Sequence, residues 1–491
     1  MASLQKKYTN EKLKGQIFTP FFIVDKILDD IRYSDESILG KSIVDPACGD
    51  GRFLVKIVER IIKFSSKKDL EKNLSFVEGW DIDEAALEDA KQELNKLVEP
   101  SGIKPRWKLL KINSLELKPN KKFNFIVGNP PYIRIQHLEE KQRTFIQHNF
   151  EFCKSGSTDI FIAFYELALS LLKPSGICGF ITPNTFFHTE TAKFLRKHFV
   201  ENKNIVQLTN YGHIQLFDNA TTYSAITIFN LKKNNNFNYQ TAISEQKFTE
   251  TKIDIQNLTN TKFWQLSSNN QQITKGARLG DITNIHVGVT TLADKAYIFE
   301  IEKEDKNYIW CNTKLEGSVK FEKEILKPII KVSTLKNGEE PIKEYILFPY
   351  KKIDGKPQII PENELKTNFP LAYKYLLSVK EILDNRDNGK SNNVAWYAYG
   401  RSQGLSTSFG EKILFSPMNK EPKFIFSKNK EATFYSGYCI KYDGNIENLL
   451  KQLNSERMKE FISISSRDFR GGWKAYNKKI VQEFLIEKDN L

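Results

Sequence analysis

Cysteine is scarce in this 491-residue chain, which contains only five. Their number is odd and their positions show no paired spacing: Cys48, Cys153, Cys178, Cys311 and Cys439. Disulfide frameworks and zinc sites both need cysteines at short, repeated intervals. The sequence therefore predicts neither a metal site nor a disulfide framework, and we expect a protein of a reducing cytoplasm.

Long apolar runs are also lacking. No stretch of 18 apolar residues occurs, so the sequence predicts no transmembrane helix. The first 14 residues are polar and lysine-rich, without the apolar core of a secretory signal. A chain of this length is too long for one hydrophobic core, and two domains are expected.

Acidic residues are outnumbered by basic ones, 60 against 73, which gives a formal net charge of +13. A basic excess suits a polyanionic partner, because lysine and arginine displace counterions from phosphate backbones. Lysine-rich proteins of AT-rich genomes share this composition without binding nucleic acid. The charge alone therefore leaves nucleic-acid binding open.

Strand and helix patterns alternate from Lys41 to about Leu231. Strands are predicted over 42–45, 76–81, 107–112, 123–127 and 177–181, and helices over 51–64, 85–97 and 160–172. Repeated β-α units of this kind predict a mostly parallel sheet with helices on both faces. In such sheets, ligands bind outside the carboxyl ends of the strands.

The strongest chemical signal follows the strand predicted over 123–127: Asn129, Pro130, Pro131 and Tyr132. Consecutive prolines fix the backbone and remove two amide donors, so a neighbouring carbonyl can face a cleft. The asparagine adds a side-chain acceptor, and the tyrosine adds a flat ring. Two acceptors and a ring can hold a planar amine and raise the electron density on its nitrogen. The pattern predicts transfer of a methyl group to such a nitrogen.

Two further motifs follow the first and second predicted strands. The segment from Asp45 to Gly51 is rich in small residues, which let a backbone pass close to a ligand where a helix begins. It lacks the third glycine of the dinucleotide fingerprint. Asp81 can bind two ribose hydroxyls, and we expect Asp83 to cap the next helix.

Together these motifs resemble the γ-class N6-adenine DNA methyltransferases of the Taq and Eco57 types, which act in restriction-modification. The resemblance covers residues 15 to about 231 and keeps the order of the family's motifs: 15–20, 45–51, 81–82, 111–114, 129–132, 159–164, 179–183 and 216–220. It implies a Rossmann-like class I methyltransferase domain of α/β type that uses S-adenosyl-L-methionine.

The resemblance also implies roles for individual residues. Catalysis falls to Asn129, Pro130 and Tyr132, and the extruded adenine would be stacked between Tyr132 and Phe217. Asn113 stands where the family usually has an aspartate, and it can still accept a hydrogen bond. The residues expected to bind the cofactor are Thr19, Asp45, Ala47, Gly49, Asp81, Ile82, Asn113, Pro131 and Phe164.

The second half of the chain has a different texture, with short strands, many aromatics and many lysines. We predict a catalytic domain over 1–235, a connecting region over 236–270 and a mixed α+β target-recognition domain over 271–491. Segments 279–282 and 286–291, and then 396–403 and 412–417, resemble the specificity domain of the Taq-type enzymes. Arg401 and Arg467 are the candidates for DNA contact, since arginine can bind guanine edges bidentately.

These features predict a site-specific adenine-N6 methyltransferase of duplex DNA, belonging to a type II restriction-modification system in the cytoplasm of a bacterium or archaeon. The resemblance implies a separate restriction endonuclease that shares the target site, and we expect a monomer. Methyltransferases for RNA or for protein glutamine use the same Asn-Pro-Pro-Tyr element and stay open as alternatives. A non-catalytic DNA-binding protein is a third possibility, which the intact motifs disfavour.

Overall fold

The computed structural model describes residues 18–117, 121–154, 158–217, 222–258, 264, 266, 276–466 and 468–487. The chain divides into two compact units, one that ends at Asn270 and one that begins at Gln271. Among the described residues, no helix is long and apolar enough to cross a membrane.

The first unit is built on a nine-stranded sheet in the order β3-β2-β1-β4-β5-β7-β6-β8-β9. The strands β3 to β5 of this order pair in parallel, whereas β7 is antiparallel to both of its neighbours. The strands are β1 Ile43–Asp45, β2 Val77–Asp81, β3 Lys108–Lys111, β4 Phe123–Gly128, β5 Leu172–Pro183, β6 Ile205–Asn210, β7 Ser224–Asn230, β8 Asn236–Ala242 and β9 Phe248–Asp254.

Helices cover both faces of this sheet because its central strands are apolar on both sides. Ile43 of β1 packs into one buried cluster and its neighbour Val44 into another, on the opposite face. The helices are α1 Phe21–Asp30, α2 Arg52–Phe64, α3 Leu70–Leu74, α4 Glu84–Val98, α5 Glu140–Asn149, α6 Phe161–Leu171 and α7 Lys193–Asn202. The predicted mostly parallel sheet with helices on both faces is confirmed.

Gly51 shows why a small residue is needed where β1 leads into α2. Its φ of +83° lies in the left-handed region, and an added Cβ would come within 2.7 Å of the Ala90 Cβ. A side chain here would therefore separate α2 from α4. The glycine allows the loop after β1 to turn tightly and the two helices to pack closely.

The structure differs from the sequence prediction at two places. Strand β5 begins at Leu172, directly after α6, and is therefore longer than the strand predicted over 177–181. Most of the predicted connecting region over 236–270 is also part of the fold, because 236–254 supplies β8 and β9. In β8 only Phe237 and Tyr239 are buried, and the partly buried polar residues Asn238 and Gln240 that follow them hide the strand pattern.

The second unit contains a six-stranded sheet, β14-β13-β12-β16-β15-β22, and a four-stranded sheet, β11-β23-β19-β21. Three small sheets join β10 to β26, β17 to β18, and β20 to β25 and β24. The strands are β10 Ala277–Arg278, β11 Asn284–Val287, β12 Ile298–Glu304, β13 Tyr308–Thr313, β14 Gly317–Glu322, β15 Leu326–Lys331, β16 Glu344–Leu347, β17 Tyr350–Ile353, β18 Lys356–Ile359, β19 Lys412–Phe415, β20 Met418–Asn419, β21 Phe424–Ser427, β22 Thr433–Tyr435, β23 Tyr438–Lys441, β24 Asp468–Phe469, β25 Trp473–Ala475 and β26 Leu485–Ile486.

Short helices pack around these sheets, so the second unit has the mixed α+β character that the sequence predicts. Phe299, Phe321 and Tyr375 form an aromatic cluster between β12, β14 and a helix. The helices are α8 Leu279–Ile282, α9 Asp294–Tyr297, α10 Glu362–Asn368, α11 Pro370–Ser378, α12 Lys380–Asp384, α13 Ile446–Leu453, α14 Glu456–Ser465 and α15 Lys478–Val481.

Candidate active site

A cavity of about 610 Å³ opens at the carboxyl ends of β1, β2 and β4 in the first unit. Its volume lies in the range of small-molecule and cofactor sites. Ten residues singled out from the sequence line it: Thr19, Asp45, Ala47, Gly49, Asp81, Ile82, Asn113, Asn129, Pro131 and Phe164. Three others, Pro130, Tyr132 and Phe217, are not among its lining residues.

The glycine-rich loop after β1 is fixed by the side chains of two aspartates. Asp45 is buried, and its Oδ1 accepts a hydrogen bond from the Ala47 amide at 3.0 Å. The Gly49 amide donates to Asp81 Oδ2 at 2.8 Å. These bonds connect the ends of β1 and β2 and hold the loop backbone against the cavity.

Asp81 and Asp83 lie between the end of β2 and the beginning of α4 and accept different backbone hydrogen bonds. Asp81 Oδ1 accepts from the Asp83 amide at 2.9 Å, so both of its carboxylate oxygens are held in place at the cavity wall. Asp83 Oδ1 accepts from the Ala85 amide at 3.1 Å, which confirms it as the cap of α4.

The pKa of Asp45 is raised from 3.8 to about 8, mainly by burial, and the neighbouring carboxylates Asp81 and Asp50 contribute to this increase. The hydrogen bond from the Ala47 amide acts in the opposite direction but is the weaker effect. Asp45 is therefore mainly protonated at neutral pH, and a cation placed next to it would favour its ionised form.

The cavity lining is strongly acidic. Two cationic side chains, Arg52 and Lys111, are outnumbered by seven carboxylic acids: Asp45, Asp50, Asp81, Asp83, Glu84, Asp89 and Glu116. Lys111 also forms an ion pair with Glu84 at 2.6 Å. Such a lining favours a cationic ligand and disfavours a phosphate-bearing one such as a dinucleotide.

Apolar contact surface is available inside the same cavity. Ile82 is 71% exposed, unusual for an isoleucine, and Phe164 forms part of the buried wall. Asn113 accepts a hydrogen bond from the Leu115 amide at 3.2 Å and donates to Glu116 Oε1 at 2.7 Å. An apolar surface beside fixed polar groups suits a ligand with one flat, aromatic part.

Asn129 lies directly after β4, where the strand brings it to the cavity. Its Nδ2 donates to Thr19 Oγ1 at 3.1 Å. Gly128 allows this approach, since a Cβ there would come within 2.6 Å of Asp45 Oδ1. The segment beyond the motif is held by backbone bonds between residues 133–135 and 158–160.

Tyr132 and Phe217 do not frame an open slot. Their ring centroids lie 6.5 Å apart at an interplanar angle of 70°, so the rings touch edge to face. Phe217 is only 3% exposed, and the Tyr132 hydroxyl donates to the Ile181 carbonyl at 3.3 Å. A base can enter between these rings only after Phe217 has moved.

Sequence reasoning missed one wall of the cavity. This wall comes from the segment that includes α5 and contributes Leu138, Gln142, Phe145 and Ile146. Their positions correspond to i, i+4, i+7 and i+8, which lie on one face of a helix, and this pattern could have indicated the wall. Phe18, which is 55% exposed, also lines the cavity although no role was predicted for it.

Of the two predicted DNA contacts, Arg401 is exposed and its Nη1 donates to Asp387 Oδ2 at 3.0 Å. Exposed ion pairs of this kind contribute about 0–1 kcal/mol, so Arg401 can exchange partners at small cost. Arg467 lies outside the described residues.

Residues 50–217 match the family model described as the Eco57I restriction-modification methylase. The Type II restriction enzyme and methyltransferase RM.Eco57I of Escherichia coli is 27% identical over 432 residues, which cover 79% of this chain and 42% of that protein. The Type II methyltransferase M.BanIII of Aneurinibacillus aneurinilyticus is 24% identical over 97% of this chain and 88% of its own length.

Among solved structures, the Type IIL restriction-modification enzyme MmeI in complex with DNA is similar with a TM-score of 0.60 at 15% sequence identity. That likeness covers 94% of this chain and 65% of the MmeI chain. This chain thus spans less than half the length of RM.Eco57I and about two thirds of that of MmeI.

Proposed function

The first unit has the class I methyltransferase fold and matches the Eco57I restriction-modification methylases, and on this premise we propose that the protein methylates adenine N6 in duplex DNA. The observation that carries this proposal is the position of Asn129, at the end of β4 on the wall of the acidic cavity. A group able to bind a planar amine therefore lies beside a site suited to a cationic cofactor.

S-adenosyl-L-methionine fits this cavity in size, charge and polarity. It has a flat adenine ring, and its sulfonium and ammonium outnumber its single carboxylate, so the acidic lining favours its net positive charge. Asp81 would bind its ribose hydroxyls, Ile82 would contact its adenine, and Asp45 and Gly49 would hold its amino-acid end. Ala47, Asn113, Pro131 and Phe164 complete the binding set. When bound, the cofactor supplies an electrophilic methyl group.

The chain's own residues position and activate the target amine. The Asn129 side-chain carbonyl and the Pro130 backbone carbonyl each accept one hydrogen bond from the adenine amine. These two bonds raise the electron density on the amine nitrogen. Rate enhancement comes largely from holding nitrogen and methyl carbon in line within a preorganised polar site. Formation of the N–C bond would break the bond between the methyl carbon and the sulfonium sulfur, which leaves neutral S-adenosylhomocysteine, and the proton lost from the amine would pass to solvent.

The adenine must leave the DNA stack to reach Asn129, because its amine is otherwise paired. Tyr132 supplies one stacking surface and Phe217 the other, once Phe217 has turned out of its present packing. Exposing that ring costs ~1.5–3 kcal/mol, which stacking against the base offsets. The second unit would recognise the target sequence, with Arg401 and Arg467 in contact with DNA.

We further infer that the protein acts as a monomer beside a separate restriction endonuclease with the same target sequence. M.BanIII and M.BstVI, which each align over 97% of this chain, are named Type II methyltransferases, and this supports a separate endonuclease. RM.Eco57I, which aligns over 79% of this chain, is named both a restriction enzyme and a methyltransferase. Methylation of RNA or of protein glutamine is the alternative function, since the same four-residue element serves both.

A direct assay separates these functions. The purified protein is incubated with S-adenosylmethionine labelled in the methyl group and with unmethylated genomic DNA, total RNA or a protein extract. We expect label only in DNA, recovered as N6-methyladenine after digestion, and no label with Asn129→Ala. If label enters RNA or protein and none enters DNA, the proposed substrate is wrong.

A further inference from the structure

Thr19 lies against the side chain proposed to bind the target amine. Its hydroxyl oxygen accepts the 3.1 Å hydrogen bond from Asn129 Nδ2 across 110 residues of sequence. Thr19 is only 4% exposed, so this bond is shielded from water. If the bond were lost, water could not readily provide a replacement hydrogen bond. The sequence resemblance assigns Thr19 to the cofactor and gives no reason to connect it with Asn129.

We propose that Thr19 is a positioning residue that fixes the Asn129 amide for the reaction; this inference rests on the proposed function. A side-chain amide is planar, so the hydrogen bond from Nδ2 to Thr19 also fixes the direction of Oδ1, which lies on the other side of the amide. The target amine needs an acceptor there. A rotated amide would present N–H to N–H and would prevent binding of the amine in a reactive orientation.

The Thr19 backbone is itself fixed by the glycine-rich loop. Arg52, the first residue of α2, donates from Nη1 to the Thr19 carbonyl at 3.4 Å and from Nε to Asp50 Oδ2 at 3.0 Å. Its guanidinium also lies 5.0 Å from the Phe18 ring centroid and 5.6 Å from that of Phe21. A continuous series of contacts therefore runs from the cofactor loop through Thr19 to Asn129.

These contacts link the loop that lines the cofactor cavity to the orientation of the Asn129 side-chain amide. Asp50 and Arg52 line the cofactor cavity, and Arg52 holds the carbonyl of the residue whose hydroxyl holds Asn129. Thr19 thus contributes to the methyl-transfer step, and direct binding of the cofactor does not depend on its hydroxyl.

Thr19→Val tests this assignment, because valine keeps the shape of threonine and removes the hydroxyl. We expect the single-turnover rate of DNA methylation at saturating cofactor to fall about 10-fold to 100-fold, as for a displaced catalytic group. The dissociation constant for S-adenosylmethionine, measured by calorimetry, should change less than about threefold, whereas a cofactor ligand would change it in proportion to the rate. Thr19→Ser, which restores the hydroxyl, should recover most of the rate.

Three results would overturn the inference while the proposed function stands. One is a wild-type rate for Thr19→Val. Another is a rate loss matched by weaker cofactor binding. The last is failure of Thr19→Ser to recover activity. Thermal melting checks folding, and Thr19→Ala repeats the measurement if the valine variant melts below the assay temperature. A wild-type protein that transfers no methyl group to DNA would overturn both the inference and the proposed function.

Discussion

Because the carboxyl group of Asp45 is buried, the free energy of unfolding should depend on pH, and the direction of this dependence can be predicted. Its pKa rises from 3.8 to about 8 on folding, chiefly because burial disfavours the charged form. Between these two values the folded protein binds more protons than the unfolded chain, so the free energy of unfolding falls as pH rises. The loss is complete once the pH passes about 8, where Asp45 is ionised in both states.

Asp45→Asn removes this dependence and keeps the acceptor for the Ala47 amide. Since one pKa unit corresponds to ~1.4 kcal/mol, raising the pH from about 6 to about 8 should cost the wild type ~3 kcal/mol relative to the variant. The whole shift corresponds to at most ~6 kcal/mol. In thermal melts without cofactor, the variant should gain about 6–12 °C over the wild type across this pH interval.

The control is Asp443→Asn, which replaces an exposed aspartate in the second unit and should follow the wild type at each pH. Urea unfolding at the same pH values checks the free energies independently. A difference between Asp45→Asn and the wild type that stays constant, or that shrinks, from about pH 6 to about pH 8 would refute the reasoning about this buried group.

Further predictions concern the cavity and the stacking residues. Phe217→Ala should reduce the fluorescence increase of 2-aminopurine at the target position on protein binding, because loss of one stacking surface makes extrusion of the base from the DNA less favourable; an unchanged increase would contradict that role. Higher salt should weaken binding of S-adenosylmethionine more than that of S-adenosylhomocysteine, because salt screens the acidic lining and only the first ligand has the sulfonium charge. Calorimetry at about 50 and 500 mM NaCl checks this difference. Gly128→Ala should destabilise the protein by about 1–3 kcal/mol, measured by urea unfolding, because its Cβ would crowd Asp45 Oδ1 at 2.6 Å; unchanged stability would show that the site relaxes freely.

The sequence correctly predicted those strands and motifs whose signal lies within a few neighbouring residues. The alternation of apolar strands and amphipathic helices located β1 to β4 within a residue or two, and the motif at Asn129 lies at the end of β4, as expected. Cofactor-site candidates far apart in sequence meet in one cavity, because the carboxyl ends of parallel strands share one edge of the sheet.

Features that depend on tertiary packing were not predictable in this way. The half-buried strand β8, which lies between β6 and β9, has alternating buried aromatics among polar residues, a weaker signal than a fully apolar strand. The edge-to-face contact of Tyr132 with Phe217 and the bond from Asn129 to Thr19 each join residues more than 80 positions apart. No periodicity or motif spacing encodes such contacts.

The central claim is that Asn129 binds an adenine amine of DNA for methylation, and single-molecule sequencing of genomic DNA tests it most directly. The gene is expressed in a bacterial host without its own adenine methyltransferases, with Asn129→Ala expressed in parallel. We predict N6-methyladenine at nearly every copy of one short sequence motif with the wild type, and at none with Asn129→Ala. Unmodified adenines with the wild type, or equal modification with both proteins, would contradict the account.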